Sequence, residues 1–240
     1  MIKKIIFFLV FLVIAIGATR FLLSEIGKYN TEERDTLLNK IIYFQRPTKL
    51  ILDVPFINEA PDGNFSGNWK NACEEASMTM VEKYYLGEKF VSIKEAMDAM
   101  QKLFSYEDRV YGSNADSDAQ RTMEIINNNL NYTATIIENP TIEQIKKQIQ
   151  KKRPVITLHY GFELHNLNIP FAVYGSYYHQ MVVIGYDDAT KEFIVHDDGD
   201  QKYGANHRYG YDLFMGSLHD FDYSTRKTNL PARVIFTSPK

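Results

Sequence analysis

Hydrophobic periodicity changes character partway along this chain, and that change restricts the fold more than any other feature. From residue 72 to residue 130 apolar side chains recur at helical spacing, whereas past residue 154 they form short β-rich runs. Helices are expected over 72–86, closed by Gly87, over 92–103, opened by the capping pattern Ser92-x-x-Glu95, over 118–130 and over 141–151. Strands are expected over 50–56, 132–137, 155–159, 179–186, 193–197 and 232–237, and a last helix over 209–218. Helices first and strands second exclude alternating βαβ units. They predict an α+β domain, a helical lobe packed on an antiparallel sheet.

The N-terminus sets the compartment. Lys3 and Lys4 precede an unbroken apolar run from Ile5 to Ile16, the small residues Gly17, Ala18 and Thr19 follow, and apolarity resumes at Phe21. Residues 1–23 therefore read as a signal peptide or a transmembrane signal anchor. The paired lysines put the rest of the chain outside the cytoplasm, membrane-anchored or, after cleavage, secreted. Residues 24–49 are expected to hold a juxtamembrane stalk helix, started at Asn30 and ended by Pro47, and residues 50–240 one continuous domain. Of the 27 basic side chains three lie in residues 1–23, which hold no acid, so 24 basic face 30 acidic in the remainder, a net −6. That balance argues against nucleic acid as a partner.

Composition enters through one residue. The chain has a single cysteine, Cys73, so neither an intramolecular disulfide nor a thiolate zinc site is available to it. Such a residue is an inert core side chain, an intermolecular thiol or a nucleophile. Cys73 sits where a Gly/Asn-rich loop, Gly67-Asn68-Trp69-Lys70-Asn71, becomes a helix. The unpaired amides and positive dipole end of a helix N-terminus favour thiolate, although Glu74 and Glu75 oppose that locally while stabilising the helix.

A nucleophilic thiol needs a base and a group to orient it. Among six histidines, His179 opens the apolar run Gln180-Met181-Val182-Val183-Ile184-Gly185-Tyr186-Asp187. A turn over 188–191 leads into a second run ending His196-Asp197-Asp198-Gly199. Antiparallel pairing about that turn brings Asp197 back beside His179, where a carboxylate binds one imidazole nitrogen and leaves the other to the thiol. The His196, Asp197, Asp198, Asp200 and His207 cluster lacks the alternation of a calcium loop and reads as a turn; no metal or cofactor is expected. Tyr177 and Tyr178 end a long loop that runs directly into His179 and are candidates for the wall of a cleft, as are Trp69 and Asn71.

These residues resemble the C-thirty-nine-like peptidases, papain-fold relatives of the bacteriocin-processing double-glycine peptidases. The resemblance rests on Val54-Pro55-Phe56, on Asn71-Ala72-Cys73-Glu74-Glu75-Ala76-Ser77, on His179-x-x-Val182-Val183-Ile184-Gly185-Tyr186-Asp187, and on Val195-His196-Asp197-x-Gly199. It runs from about residue 52 to 238. It implies a papain-like fold and a cysteine peptidase or hydrolase that cleaves peptide or amide bonds through an acyl-enzyme. Cys73 would be the nucleophile, His179 the general base and Asp197 the orienting residue, with a peptide or protein as substrate. The chain departs from the family at the oxyanion-hole position, where Glu59 stands for the usual glutamine, and after the aspartate, where Asp198 replaces the usual proline. A carboxylate at position 59 repels a developing oxyanion unless it is protonated. The alternatives are a weak or inactive papain-fold domain that binds peptides or cell-wall partners, and a cell-wall amidase or acyl-transferase using the same triad.

Overall fold

The computed structural model describes residues 31–32, 46–168, 178–222, 224–225 and 227–240. The apolar segment 1–23 and most of the stalk lie outside these residues, as does Tyr177. Among the described residues no helix is long and apolar enough to cross a membrane.

Within the unit Thr48–Lys240 the order of elements follows the change in periodicity. Helix α1 is Cys73–Leu86, α2 Ile93–Tyr111 and α3 Ala119–Asn129; only the short strand β1, Lys49–Ile51, precedes them. Strand β2, Tyr132–Glu138, and helix α4, Ile142–Gln150, lead into β3, Val155–His159, β4, His179–Asp187, and β5, Glu192–His196. Strand β6, His207–Gly210, helix α5, Tyr211–Gly216, and strands β7, Asp220–Asp222, β8, Lys227–Leu230, and β9, Arg233–Pro239, complete the described elements.

The main sheet is antiparallel in the order β2-β9-β3-β4-β5-β6. Strand β3 pairs with residues 179–183 of β4, and β1 pairs with 185–187. Strands β7 and β8 form a separate hairpin. Strand β4 is the centre of the fold: it packs against both α1 and α4, and all nine of its residues are buried. A strand covered on both faces needs an apolar run rather than alternation, which is why 179–187 reads as it does. Helix α1 answers it with Met78, Met80 and Val81, each fully buried, and burying side chains of this size stabilises by about 1.5–3 kcal/mol apiece.

Local chemistry fixes the helix ends. Gly87 takes a left-handed conformation (φ 68°), and the amides of Gly87 and Glu88 donate to Tyr84 O and Lys83 O, closing α1. Ser92 Oγ accepts the Glu95 amide at 3.1 Å to open α2, and Thr141 and Gln144 form a reciprocal capping box on α4.

Three expectations need correction. Helix α2 continues to Tyr111 rather than stopping near residue 103, because the polar stretch after Phe104 is mostly solvent-facing, with Glu107 alone fully buried, and Gly112 (φ 71°) is the real stop. The first strand covers Lys49–Ile51 only, since Val54-Pro55-Phe56 runs on without ladder pairing. Residues 209–218 are not one helix: 207–210 pair with β5, and α5 begins at Tyr211.

Candidate active site

Cys73 is the first residue of α1, and the chain enters it through a 3-10 turn, Gly67–Asn71, and Ala72. The nine residues Cys73–Val81 are all buried, so this helix N-terminus points into the protein. Two contacts fix the sulfur. Cys73 Sγ donates to Glu74 Oε2 at 3.2 Å, and the Gln180 amide donates to Sγ at 3.4 Å. The second contact sets the thiol against the start of β4, at the residue following His179.

His179 is fully buried, and its Nε2 lies 2.8 Å from Asp197 Oδ1. The β4–β5 hairpin makes this pair: Val182 faces His196 in register, so the chain just past β5 returns to the head of β4. Asp197 is held in turn by Asn166 Nδ2 at 3.2 Å and by the Tyr209 hydroxyl, both donating to Oδ2. Its amide donates to Gly204 O at 2.9 Å. Burial by itself would raise this carboxyl, yet attraction to and hydrogen bonding with His179, together with Tyr209, hold it down at about 2. Asp197 is therefore an anion fastened beside the imidazole. His159 and His196 have other work. His159 is bonded to Ser217 Oγ and Thr157 Oγ1, each at 2.9 Å, and His196 to Val54 O at 2.9 Å and the Asn206 amide at 3.3 Å.

Around the thiol the structure gathers acids. Glu59 is buried, its amide donates to Asp198 O at 3.0 Å, and its Oε1 has no partner among the described residues. Asp198 is also buried, accepts from Ser77 Oγ at 3.0 Å, and comes within 4.0 Å of His179 Nε2. Burial first, and neighbouring carboxylates second, push both Glu59 and Asp198 well above the carboxylate range. Each therefore keeps its proton to higher pH than an ordinary carboxyl does. Glu74 is raised to about 8 by burial and the Asp116 charge, against the hydrogen bonds from the Ser117 amide and the thiol. Burial pushes the Cys73 thiol up as well, and Glu74, Glu59 and Asp198 add to it; the Gln180 amide works the other way. The helix N-terminus is where the sequence puts it, but the resting thiol is neutral rather than a dipole-stabilised thiolate.

The remaining candidates separate. Tyr178 is buried, its hydroxyl donates to Ser117 O, and its ring packs on Phe221 with centroids 5.3 Å apart. Trp69 is half-buried edge-on to Phe104 of α2, centroids 5.2 Å apart. Asn71 is exposed and donates to Asp116 Oδ1 at 3.1 Å. Sequence reasoning overlooks Asn166, Tyr209, Ser117 and Gln180, which hold the site. Only the burial of His179 and Asp197, which obliges every polar atom near them to find a partner, signals that such residues exist. Among the described residues no group of His, Cys, Asp or Glu side chains is arranged to hold a metal ion.

No curated protein matches the chain. A solved structure of a Bacillus anthracis protein described as a C39-like peptidase superposes with a TM-score of 0.50 at 15% identity, covering 80% of this chain and 99% of that one. At such identity the likeness speaks for the fold, mixed helices on an antiparallel sheet of the papain-like kind. The model of the Peptidase_C39 like family matches residues 51–224, most of the described domain, and the chain belongs to that family.

Proposed function

We propose that the protein is a cysteine peptidase acting outside the cytoplasm, membrane-anchored or secreted, in which Cys73, His179 and Asp197 cleave a peptide or amide bond through an acyl-enzyme. The observation that carries this reading is the buried His179–Asp197 pair at 2.8 Å, one residue from the amide that holds the Cys73 sulfur. Asp197 as an anion fixes the ring through Nε2, so Nδ1 is the atom that exchanges protons at the sulfur and the leaving amine. Cys73 Sγ attacks the carbonyl carbon, the amine departs with a proton, and water releases the acyl group. The substrate is a peptide or protein; a cell-wall amidase or acyl-transferase would use the same three residues, and Glu59 is the residue that favours a weak or inactive binding domain instead.

Full-length protein in detergent, incubated with a peptide library, is expected to yield cleavage products that vanish with Cys73→Ala. Retention of cleavage by that variant, or no products from the unmodified chain, removes the peptidase reading and leaves a binding domain.

Glu59 has a defined part in this reading. In its protonated form, which burial favours, it donates a hydrogen bond to the oxyanion, as a glutamine amide would. Glu59→Ala is expected to lower kcat by about 10²-fold. Glu59→Gln is expected to match the unmodified enzyme in mild acid and to keep its activity at alkaline pH, where the carboxyl ionises. A Glu59→Gln profile that declines with the same alkaline limb would show that Glu59 is no oxyanion donor.

A further inference from the structure

From the placement of Asp116 we infer that the substrate carries a positive charge next to the bond that is cut, and that Asp116 is the residue that selects it. The inference rests on the peptidase reading above and names the substrate class of that same site: a peptide with a lysine, an arginine or a free amine beside the scissile bond. Asp116 is fixed near the thiol by two routes. Its Oδ1 accepts Asn71 Nδ2 at 3.1 Å, and Asn71 ends the 3-10 turn two residues before Cys73. The residue after Asp116, Ser117, donates its amide to Glu74 Oε1 at 2.7 Å, and the other oxygen of that carboxyl accepts the Cys73 thiol at 3.2 Å. Ser117 is itself immobilised: its hydroxyl donates to Glu107 Oε1 at 2.9 Å, and its carbonyl accepts Gln180 Nε2 at 2.9 Å and the Tyr178 hydroxyl. The loop before α3 and the turn before α1 therefore meet beside the nucleophile, with Asp116 at their junction.

Exposure sets Asp116 apart from the other acids around the sulfur. Glu59, Glu74, Asp197 and Asp198 are each at most 1% exposed, whereas Asp116 is half-buried and its partner Asn71 is exposed. A charge arriving from solvent thus meets Asp116 ahead of the buried acids. The charges that act most strongly on Cys73, Glu59, Glu74 and Asp198 are all carboxylates, and Lys70, exposed beside Asn71, is not among them. Burial holds Glu59, Glu74 and Asp198 toward the protonated form, and Asp197 is committed to His179, which leaves Asp116 to face the substrate. A separate feature points to a ligand. Glu59 Oε1, on a side chain 1% exposed and near enough to act on Cys73, has no hydrogen-bond partner among the described residues. A buried polar atom without a partner is an exception in folded proteins, and a donor carried in by the substrate fills it. Attraction to a part-exposed carboxylate favours a cation over an anion by on the order of 10-fold.

The test uses the full chain in a nonionic detergent and has two readouts. In the first, 2-aminoethyl and 2-sulfonatoethyl methanethiosulfonate, a cation and an anion of similar size, modify the single cysteine, and each rate is divided by that of the same reagent with 2-mercaptoethanol. The cation is expected to react on the order of 10-fold faster after that division. Asp116→Asn, which keeps an acceptor for Asn71, is expected to bring the ratio close to one, and Asp116→Lys to invert it. Raising the ionic strength from about 0.02 to about 0.5 M is expected to shrink the ratio in the unmodified protein, which covers a variant that fails to fold. In the second readout, peptides that differ only in lysine or norleucine beside the cleaved bond are compared. The lysine peptide is expected to have a kcat/KM on the order of 10-fold higher, and Asp116→Asn to remove that advantage through KM with kcat kept. A cation-to-anion ratio that is the same in Asp116→Asn or insensitive to salt, or lysine and norleucine peptides cut alike, overturns the inference and leaves the peptidase reading standing. Reagents sorted by charge with no peptide cut would instead refute the peptidase reading alone. A thiol that neither reagent reaches leaves the peptide comparison to decide, and no cleavage there as well overturns both.

Discussion

Unfolded by urea at a series of pH values, the full chain is expected to be more stable at pH 5 than at pH 8, by several kcal/mol. Glu59, Glu75 and Asp198 are raised well above their ordinary range first by burial and then by neighbouring carboxylates, Glu74 among them for all three, and Glu74 itself moves from 4.5 to about 8. A carboxyl with a raised folded value binds its proton more tightly in the native state. Its stabilisation is complete below the unfolded value and is lost as pH climbs through the folded one. For Glu74 that window runs from 4.5 to about 8 and corresponds to on the order of 4–5 kcal/mol. Asp197 works in the opposite sense: held at about 2, it contributes above the unfolded aspartate range and loses that contribution only in strong acid. The optimum therefore falls between these limits, in mild acid. Glu75 supplies the control. It shares a hydrogen bond with Glu107 of α2, which also accepts from Ser117 Oγ at 2.9 Å. Glu75→Gln keeps a donor to Glu107 and removes one titration, so its profile should be flatter than that of the unmodified chain. Stability constant or rising from pH 5 to pH 8 would refute this account of the buried acids.

Those acids are also the part of the site that one-dimensional reading misses, and the reason is physical. Glu74 and Glu75 occupy the first turn of a helix, where acids ordinarily face water and complement the dipole. Their burial comes from what closes over them, the Glu107 face of α2 and the loop around Ser117, and neither is near in sequence. The His179–Asp197 pair was legible because a hairpin is local. Counting outward from the turn gives a pairing sum of 378, and Val182–His196 and Val183–Val195 obey it. Beside the turn the sum is 379, as Asp187–Glu192 shows, and the irregularity between Val183 and Gly185 restores the count at the site end. Gly185 lies at that irregularity for a reason, since a Cβ there would come 2.5 Å from Leu50 O on β1. The order of helices and strands was legible because each face repeats. The boundary at Tyr211 was not, because a strand ending in glycine runs directly into a helix and the aromatic residues suit either.

Gly204→Ala, a change with no atom in the His179–Asp197 pair, is expected to cost about 10² or more in kcat/KM and on the order of 3 kcal/mol in stability. The turn that carries Asp197 closes on Gly204: the Asp197 amide donates to Gly204 O at 2.9 Å and the Gly204 amide to Asp200 O at 3.1 Å. A Cβ on Gly204 would fall 2.0 Å from Asp197 O and 2.5 Å from Asp200 O, both backbone atoms that cannot swing aside. The turn must open, and Asp197 must move with it. Its carboxylate is fixed to His179 at 2.8 Å and to Asn166 at 3.2 Å, and Asn166 also bridges to Asp200 Oδ2 at 3.2 Å, so one displacement disturbs every contact that orients the imidazole. The variant should also lose the low pKa of Asp197, because that value depends on closeness to His179 and Tyr209. Gly210→Ala is the matched control. It lies a few residues on, at the entry to α5, its φ of −56° suits alanine, and a Cβ there meets nothing within 4 Å. Peptide cleavage and urea unfolding measured on both variants separate the outcomes. If Gly204→Ala retains full activity, Asp197 does not govern the histidine, and the triad reading loses its third member. If Gly210→Ala falls as far as Gly204→Ala, the loss reflects general fragility of this corner and not the placement of Asp197.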